Sequence, residues 1–529
     1  MLRNAFSCMR YVKPHIKNIC KTRLLAQTER NPLCRFNNCS NDGSARHSLR
    51  LGPSNLRVFG RCAFVLVGTC VGVKMWLISA GCEEAAHPDT AQTEYKGDTS
   101  QTLEEAIAKS RDILLRVKDE TGSPGIVVGV SVDGNQVWSL GLGYQDVENR
   151  VPCTPDTVMR IASISKPITM AIAGKLKEMG LLDLDRPVQD YVPYFPEKSM
   201  DGRKVTITTR QLLSHLGGIR HYGKEYMKDK NDKADKTSTE NTSPEKAEME
   251  HLEYYLKKHF NSVKSSLELF KDDPLVHKPG SKFLYTTHGY TLVSAVLEGA
   301  SKKTFRELLL GLFKDLGLKH TYLDENTPVI YNRSRYYVKN NKGRLINAPY
   351  VDNSYKWAGG GLLSTVADLC RFGNVMLYSY QHQLPEKSAG EDTDSRQSDL
   401  DTSANGKQTE GSEKRSLSGY LKRETVEEMW HPVDNTECSW DKDGGYALGW
   451  AVIPEKQDHG CCRHQRHYVT HTGGAIGASS VLVVVPRSGG DNPPSGVVVA
   501  IMVNMISIGL NKTALSIAEE FEKVDKLRR

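Results

Sequence analysis

The sequence predicts an α+β fold, a mainly antiparallel β-sheet flanked by helices from the two ends of the chain, with an all-helical lobe inserted. Three observations carry that expectation. Two apolar strands, Gly125–Val132 and residues 136–142, meet across the turn Asp133-Gly134-Asn135 as a hairpin. Four more short apolar runs, at 446–453, 468–472, 479–485 and 497–502, crowd the end of the chain. Between the two groups the apolar spacing is helical, which places helices inside the sequence of a sheet.

Taken in order, residues 1–61 are rich in Arg, Lys, Ser and Asn and poor in acids, the composition of a mitochondrial transit peptide. The segment 62–82 contains the apolar run from Cys62 to Ala80, about long enough to span a bilayer, with Lys74 near one end where its side chain can snorkel. A presequence followed by such a run predicts sorting or anchoring at the inner mitochondrial membrane, with the body in the intermembrane space rather than the matrix. Residues 83–100 read as a linker, and 101–529 as one domain. A helix is predicted over 103–117, with Ala106, Ile107, Ser110, Ile113, Leu114 and Val117 on one face. The charged stretch 224–271 reads as an insertion, partly disordered at 229–246 and helical at about 244–270. Helices follow at 287–300 and 304–316. A Gly-rich turn at 358–361 leads into another, capped by Ser364 or Thr365. The polar stretch 385–418 is predicted to be a disordered loop, 421–430 a helix, and 510–524 the closing helix.

Composition excludes some functions. The formal charge of +7 is concentrated at the start, where residues 1–82 hold 13 Lys and Arg against Glu29 and Asp42 alone. The remainder carries 57 basic and 61 acidic residues, so the body has no basic signature for nucleic acid. Seven of the 12 cysteines also lie in 1–82, leaving too few for a disulfide scaffold. Cys461-Cys462 with His459, His464 and His467 lack paired metal-ligand spacing and read as a surface loop; no metal or cofactor is predicted.

The chemistry centres on Ser163-Ile-Ser-Lys166. Three residues apart, Ser163 and Lys166 project from one face of a helix, and Pro167 is tolerated only near a helix start. Ile164, Ile168, Ile172, Leu176 and Met179 bury that helix, and Gly180 stops it. A serine hydroxyl needs a base, and a lysine serves if burial lowers its pKa. The spacing alone recurs by chance in a chain this long. Three further patches sharpen it. Tyr285 follows a Gly turn at a helix start and can present its phenol to a site, although by itself it reads as a half-buried core tyrosine. His471-Thr472-Gly473-Gly474 stands on a strand whose glycines admit a close ligand or backbone. Leu212-Leu-Ser-His-Leu-Gly-Gly-Ile219 closes the stretch 205–219, which leads into a short helix ended by Gly217-Gly218.

Together and in this order, the patches resemble the penicillin-binding and serine β-lactamase superfamily, in its class C and esterase-like branch. Ser163-Ile-Ser-Lys166 resembles the S-x-x-K box, Tyr285-Thr-Thr287 the Y-x-N box, and His471-Thr472-Gly473 the K-T-G strand. With the presequence, the likeness is closest to the mitochondrial serine β-lactamase-like branch. That resemblance implies a serine peptidase that forms filaments or other homo-oligomers and acts in mitochondrial lipid metabolism. It implies that Ser163 is acylated, and that Lys166 and Tyr285 share the general-base and relay work, with a cationic Lys166 lowering the phenol's pKa. The N–H groups of Ser163 and Gly474 would form the oxyanion hole, and His471, Thr472 and Gly473 would line the substrate strand. Two departures stand out. Thr287 replaces Asn and offers no amide to a substrate. His471 replaces Lys and is mostly neutral near pH 7. Recognition of a free carboxylate is thereby weakened, so a peptide or protein substrate cut internally is expected, with β-lactams hydrolysed poorly. A filament scaffold with little turnover and a lipid or ester hydrolase are the competing functions.

Overall fold

The computed structural model describes residues 101–223, 253–382, 419–438, 441–458, 463–487 and 493–524. The proposed transit, sorting and linker segments, the stretch 229–246, the loop 385–418, and His459, Cys461 and Cys462 lie outside them. No helix among the described residues is long and apolar enough to cross a membrane.

Among the described residues, eight antiparallel strands form the central sheet. In chain order they are β1 (Gly125–Val132), β2 (Asn135–Asp146), β3 (Val151–Pro152), β4 (Gly445–Tyr446), β5 (Ala451–Ile453), β6 (Tyr468–Ala475), β7 (Ala478–Pro486) and β8 (Gly496–Val503). Their spatial order is β4-β5-β6-β7-β8-β1-β2-β3, so β8 pairs with β1, the last and first of these strands in the chain. The register Val128↔Ile501 and Val130↔Val499 joins the two ends.

Strands buried on both faces explain why β1, β7 and β8 read as continuous apolar runs. One face packs on the terminal helices α1 (Leu103–Thr121) and α9 (Asn511–Glu522), with Leu114, Val128, Val499, Ile517 and Phe521 in a single cluster. The alternate residues Val127, Leu482, Val484, Val498 and Met502 face the helical lobe. That lobe comprises α2 (Ser165–Glu178), α3 (Thr209–Leu213), α4 (Val263–Leu267), α5 (Thr287–Ser301), α6 (Phe305–Leu316), α7 (Val366–Gln381) and α8 (Arg423–Met429). Local chemistry sets the ends. Thr102 and Glu105 make a capping box on α1, as do Thr304 and Glu307 on α6. Of the two candidate caps on α7, Thr365 takes the role, while Ser364 ends a short strand and bonds Thr321.

Three expectations need correction. The helix predicted at about 244–270 is, over its described part, only α4. Its Glu253 serves a tertiary ion pair instead, with Arg220 at 2.7 Å, and Arg220 also bonds Asp273, just beyond the segment, at 2.6 Å. The strand expected at 446–453 is split into β4 and β5 by the turn through Gly449, whose φ is +79°. Finally, Ser163 precedes the α-helix, on a 3₁₀ turn at Ala162–Ile164.

Candidate active site

The strand Met159–Arg160 pairs with Leu362–Ser364 and delivers the chain to Ala162, whose φ of +48° bends it sharply. The 3₁₀ turn then presents Ser163 half-buried, and α2 starts at Ser165 with Pro167 in its first turn. Lys166 is fully buried. Its Nζ lies 3.0 Å from Ser163 Oγ and donates to the Gly359 carbonyl at 2.6 Å. Burial holds the Lys166 ammonium well below the ordinary lysine pKa, and the nearby charge of Lys356 adds to the effect. A neutral amine donating to Gly359 keeps its lone pair for the Ser163 hydroxyl proton.

Tyr285 closes the other side, its phenol interacting with the Ser163 side chain. The Lys166 Nζ stands 4.5 Å above the Tyr285 ring. The expectation that a cationic Lys166 lowers the phenol's pKa is reversed: burial pushes it up, and only the interaction with Ser163 opposes that. Tyr285 is therefore a proton-bearing phenol at neutral pH.

Strand β6 runs past the turn of Ser163. A Cβ on Gly473 would meet Ser480 Oγ at 2.2 Å and the Ile161 carbonyl at 2.4 Å, so this glycine is dictated by close packing. Gly474 is exposed, with open space where a Cβ would go. Thr472 is half-buried on the same strand face as Gly474. His471 is buried, and its tautomer is fixed: Nδ1–H donates to the Thr472 carbonyl at 2.7 Å, leaving Nε2 to accept from the Tyr446 hydroxyl at 2.9 Å. Burial, with Lys166 nearby, pushes its pKa down to about 3, so the imidazole is neutral. Thr287 lies behind the site. It packs where a Cβ on Gly359 would be, and its side chain bonds Tyr222.

The structure thus brings Ser163, Lys166 and Tyr285 into direct contact and sets β6 beside them, while Thr287 supports Gly359 from the rear. Sequence reasoning missed Gly359, Tyr446, Arg160 and Lys356. Lys356 is buried among the Tyr222, Tyr254 and Tyr355 rings, with Nζ 4.9–5.5 Å from their centroids, and burial lowers its pKa to about 7. Among the described residues no three or more His, Cys, Asp or Glu side chains gather as a metal site. His467 bonds the Ile453 carbonyl.

Compared with known protein families, residues 102–505 match the family described as Beta-lactamase. The chain belongs to the beta-lactamase family. Among its relatives, the human protein named serine beta-lactamase-like protein LACTB, mitochondrial, is 50% identical over 467 residues, covering 80% of this chain and 81% of the human one. Solved structures share the fold. EstCE1, described as a hydrolase with promiscuous acyltransferase activity, aligns with a TM-score of 0.56 at 19% identity, over 79% of this chain and 98% of its own. The octameric penicillin-binding protein homologue from Pyrococcus abyssi aligns with a TM-score of 0.55 at 22% identity, over 79% of this chain and 78% of its own. Within the beta-lactamase family this chain is a serine β-lactamase-like hydrolase.

Proposed function

We propose that the chain is a serine peptidase that cuts internal peptide bonds through an acyl-serine intermediate and is a poor β-lactamase. The observation that carries this reading is the 3.0 Å contact between Lys166 Nζ and Ser163 Oγ, made by an amine whose burial favours the neutral form. Lys166 takes the hydroxyl proton as Ser163 Oγ attacks the substrate carbonyl. The N–H groups of Ser163 and Gly474 receive the developing oxyanion; losing one such donor typically costs about 10²–10³ in rate. Tyr285, interacting with Ser163, relays a proton to the leaving amine, and water then hydrolyses the acyl-enzyme.

Substrate class follows from what β6 offers. His471 is neutral and committed to Tyr446 and Thr472, so this strand position has no cation for a free substrate carboxylate. Bonds inside a polypeptide need none. We place the protein in the mitochondrial intermembrane space, on the acid-poor N-terminal 82 residues and the word mitochondrial in its relative's name, with residues 62–82 as sorting or anchor segment. A part in mitochondrial lipid metabolism is implied by the family resemblance. Self-assembly joins the proposal because the archaeal neighbour is described as octameric.

Internally quenched peptides and a chromogenic β-lactam, offered to wild type and Ser163→Ala, test the reading. Peptide cleavage that vanishes in Ser163→Ala, with slow lactam turnover, is expected. Fast lactam turnover without peptide cleavage would overturn it.

A further inference from the structure

One patch singled out in the sequence, residues 212–219, has no part in the chemistry described above, yet it lies against Tyr285. Tyr285 sits outside regular structure, just before Thr286, the N-cap of α5. A loop residue that must keep its hydroxyl on Ser163 needs something to hold it. His215 touches it from three directions. The His215 carbonyl accepts the N–H of Leu284, the residue before, at 2.9 Å. The His215 Nδ1 accepts the N–H of Thr286, the residue after, at 3.1 Å. Between these bonds the imidazole packs on the Tyr285 ring itself, with centroids 4.2 Å apart. Aiming carbonyl and side chain at one loop takes an unusual backbone, and His215 has a φ of +61°.

The ring is not otherwise employed. It is fully buried, and its Nε2 has no hydrogen-bond partner among the described residues. Tyr290 and Tyr446 pack on it at 5.3 and 4.8 Å. Accepting through Nδ1 puts the proton on Nε2 and requires a neutral imidazole. Burial and the neighbouring Lys166 both disfavour the charged form, in agreement with that acceptor role.

Resting on the reading of Tyr285 as the proton relay, we infer that His215 is the positioning residue of Tyr285: it brackets the tyrosine's two flanking amides and its ring, so that the phenol stays on Ser163. It touches neither substrate nor the reacting atoms. Its effect belongs in the rate of acylation and not in substrate binding, because displacement of a reacting group by about 1 Å costs on the order of 10² in rate.

Asn and Gly both adopt positive φ readily, so His215→Asn and His215→Gly test the role with little backbone strain. Asn keeps an acceptor and loses the ring; Gly loses both. With a serine-reactive fluorophosphonate on the full chain, the maximal labelling rate is expected to fall about 10-fold in His215→Asn and about 100-fold in His215→Gly, with the half-saturating probe concentration unchanged. In a Tyr285→Phe background neither change should slow labelling further, since His215 acts through the phenol. Amide exchange of the peptide carrying residues 284–286 should quicken in His215→Gly. Wild-type labelling rates in both variants, losses that multiply with Tyr285→Phe, or unchanged exchange would each overturn the inference. Labelling that persists in Ser163→Ala, or full-rate labelling of Tyr285→Phe alone, would instead sink the catalytic reading beneath it.

Discussion

Arg160 donates from Nη1 to the carbonyl of Ile476 at 2.9 Å, tying a residue three positions before Ser163 to one two positions after Gly474. Its Nε bonds Asp324 at 2.7 Å, with both side chains almost wholly buried. The two proposed oxyanion donors are thereby held by one guanidinium, and the Ser480 hydroxyl, donating to the Ile161 carbonyl at 2.8 Å, adds a second tie.

Arg160→Gln should therefore damage both stability and rate. Removing one partner of a buried ion pair costs about 3–5 kcal/mol. The loss here belongs near about 3 kcal/mol, because Arg333 and Asn353 still bond Asp324. Urea denaturation measures it, and labelling of Ser163 in the folded variant should slow by about 100-fold.

Lys166→Met should abolish acylation and stabilise the protein at neutral pH. A lysine whose folded-state pKa lies well below its unfolded value binds more protons when unfolded, so stability rises with pH between the two values. Wild type should accordingly gain stability as pH is raised from neutral toward about 10, the unfolded lysine pKa. The variant lacks that contribution to the slope. Melting temperatures across this range check the sign.

Lys356→Met should move the acid limb of the pH–rate profile to higher pH. Below its own pKa of about 7, Lys356 is charged and makes a protonated Lys166 less favourable. Without that charge Lys166 keeps its proton to higher pH, and the neutral base appears later. An unmoved limb in the profile of probe labelling would contradict the coupling.

Gly473→Ala and Gly474→Ala should differ despite their adjacency. A methyl on Gly473 collides with Ser480 and Ile161, so that variant should melt lower or fail to fold. A methyl on Gly474 meets nothing within 4 Å and should leave the melting temperature in place. It occupies open space on the proposed substrate strand, so peptide turnover should fall as KM rises. Thermal melts and steady-state kinetics of the pair check both statements.

Much of this was legible in the sequence because burial writes itself into periodicity. The strands β1, β7 and β8 are almost wholly buried and carry long apolar runs, and the capped helices α1 and α6 carry their start signals within four residues. Ser163, Lys166 and Tyr285 were visible as motifs, and the structure joins them. What stayed hidden depends on distant contacts. Gly359 accepts from Lys166 across 193 positions, and Tyr446 finds His471 only when β4, β5 and β6 align. The charged segment before Phe270 looked helical locally, but its Glu253 pairs with the distant Arg220. The phenol's raised pKa follows from burial, which spacing does not report.

The most direct test of the central claim is mass-spectrometric mapping of the fluorophosphonate adduct on the intact protein across pH. A single adduct on the peptide containing Ser163 is expected, forming faster as pH rises through the depressed pKa of Lys166, and absent in Ser163→Ala. An adduct on another residue, or one that persists in Ser163→Ala, would contradict the assignment of Ser163 as the nucleophile.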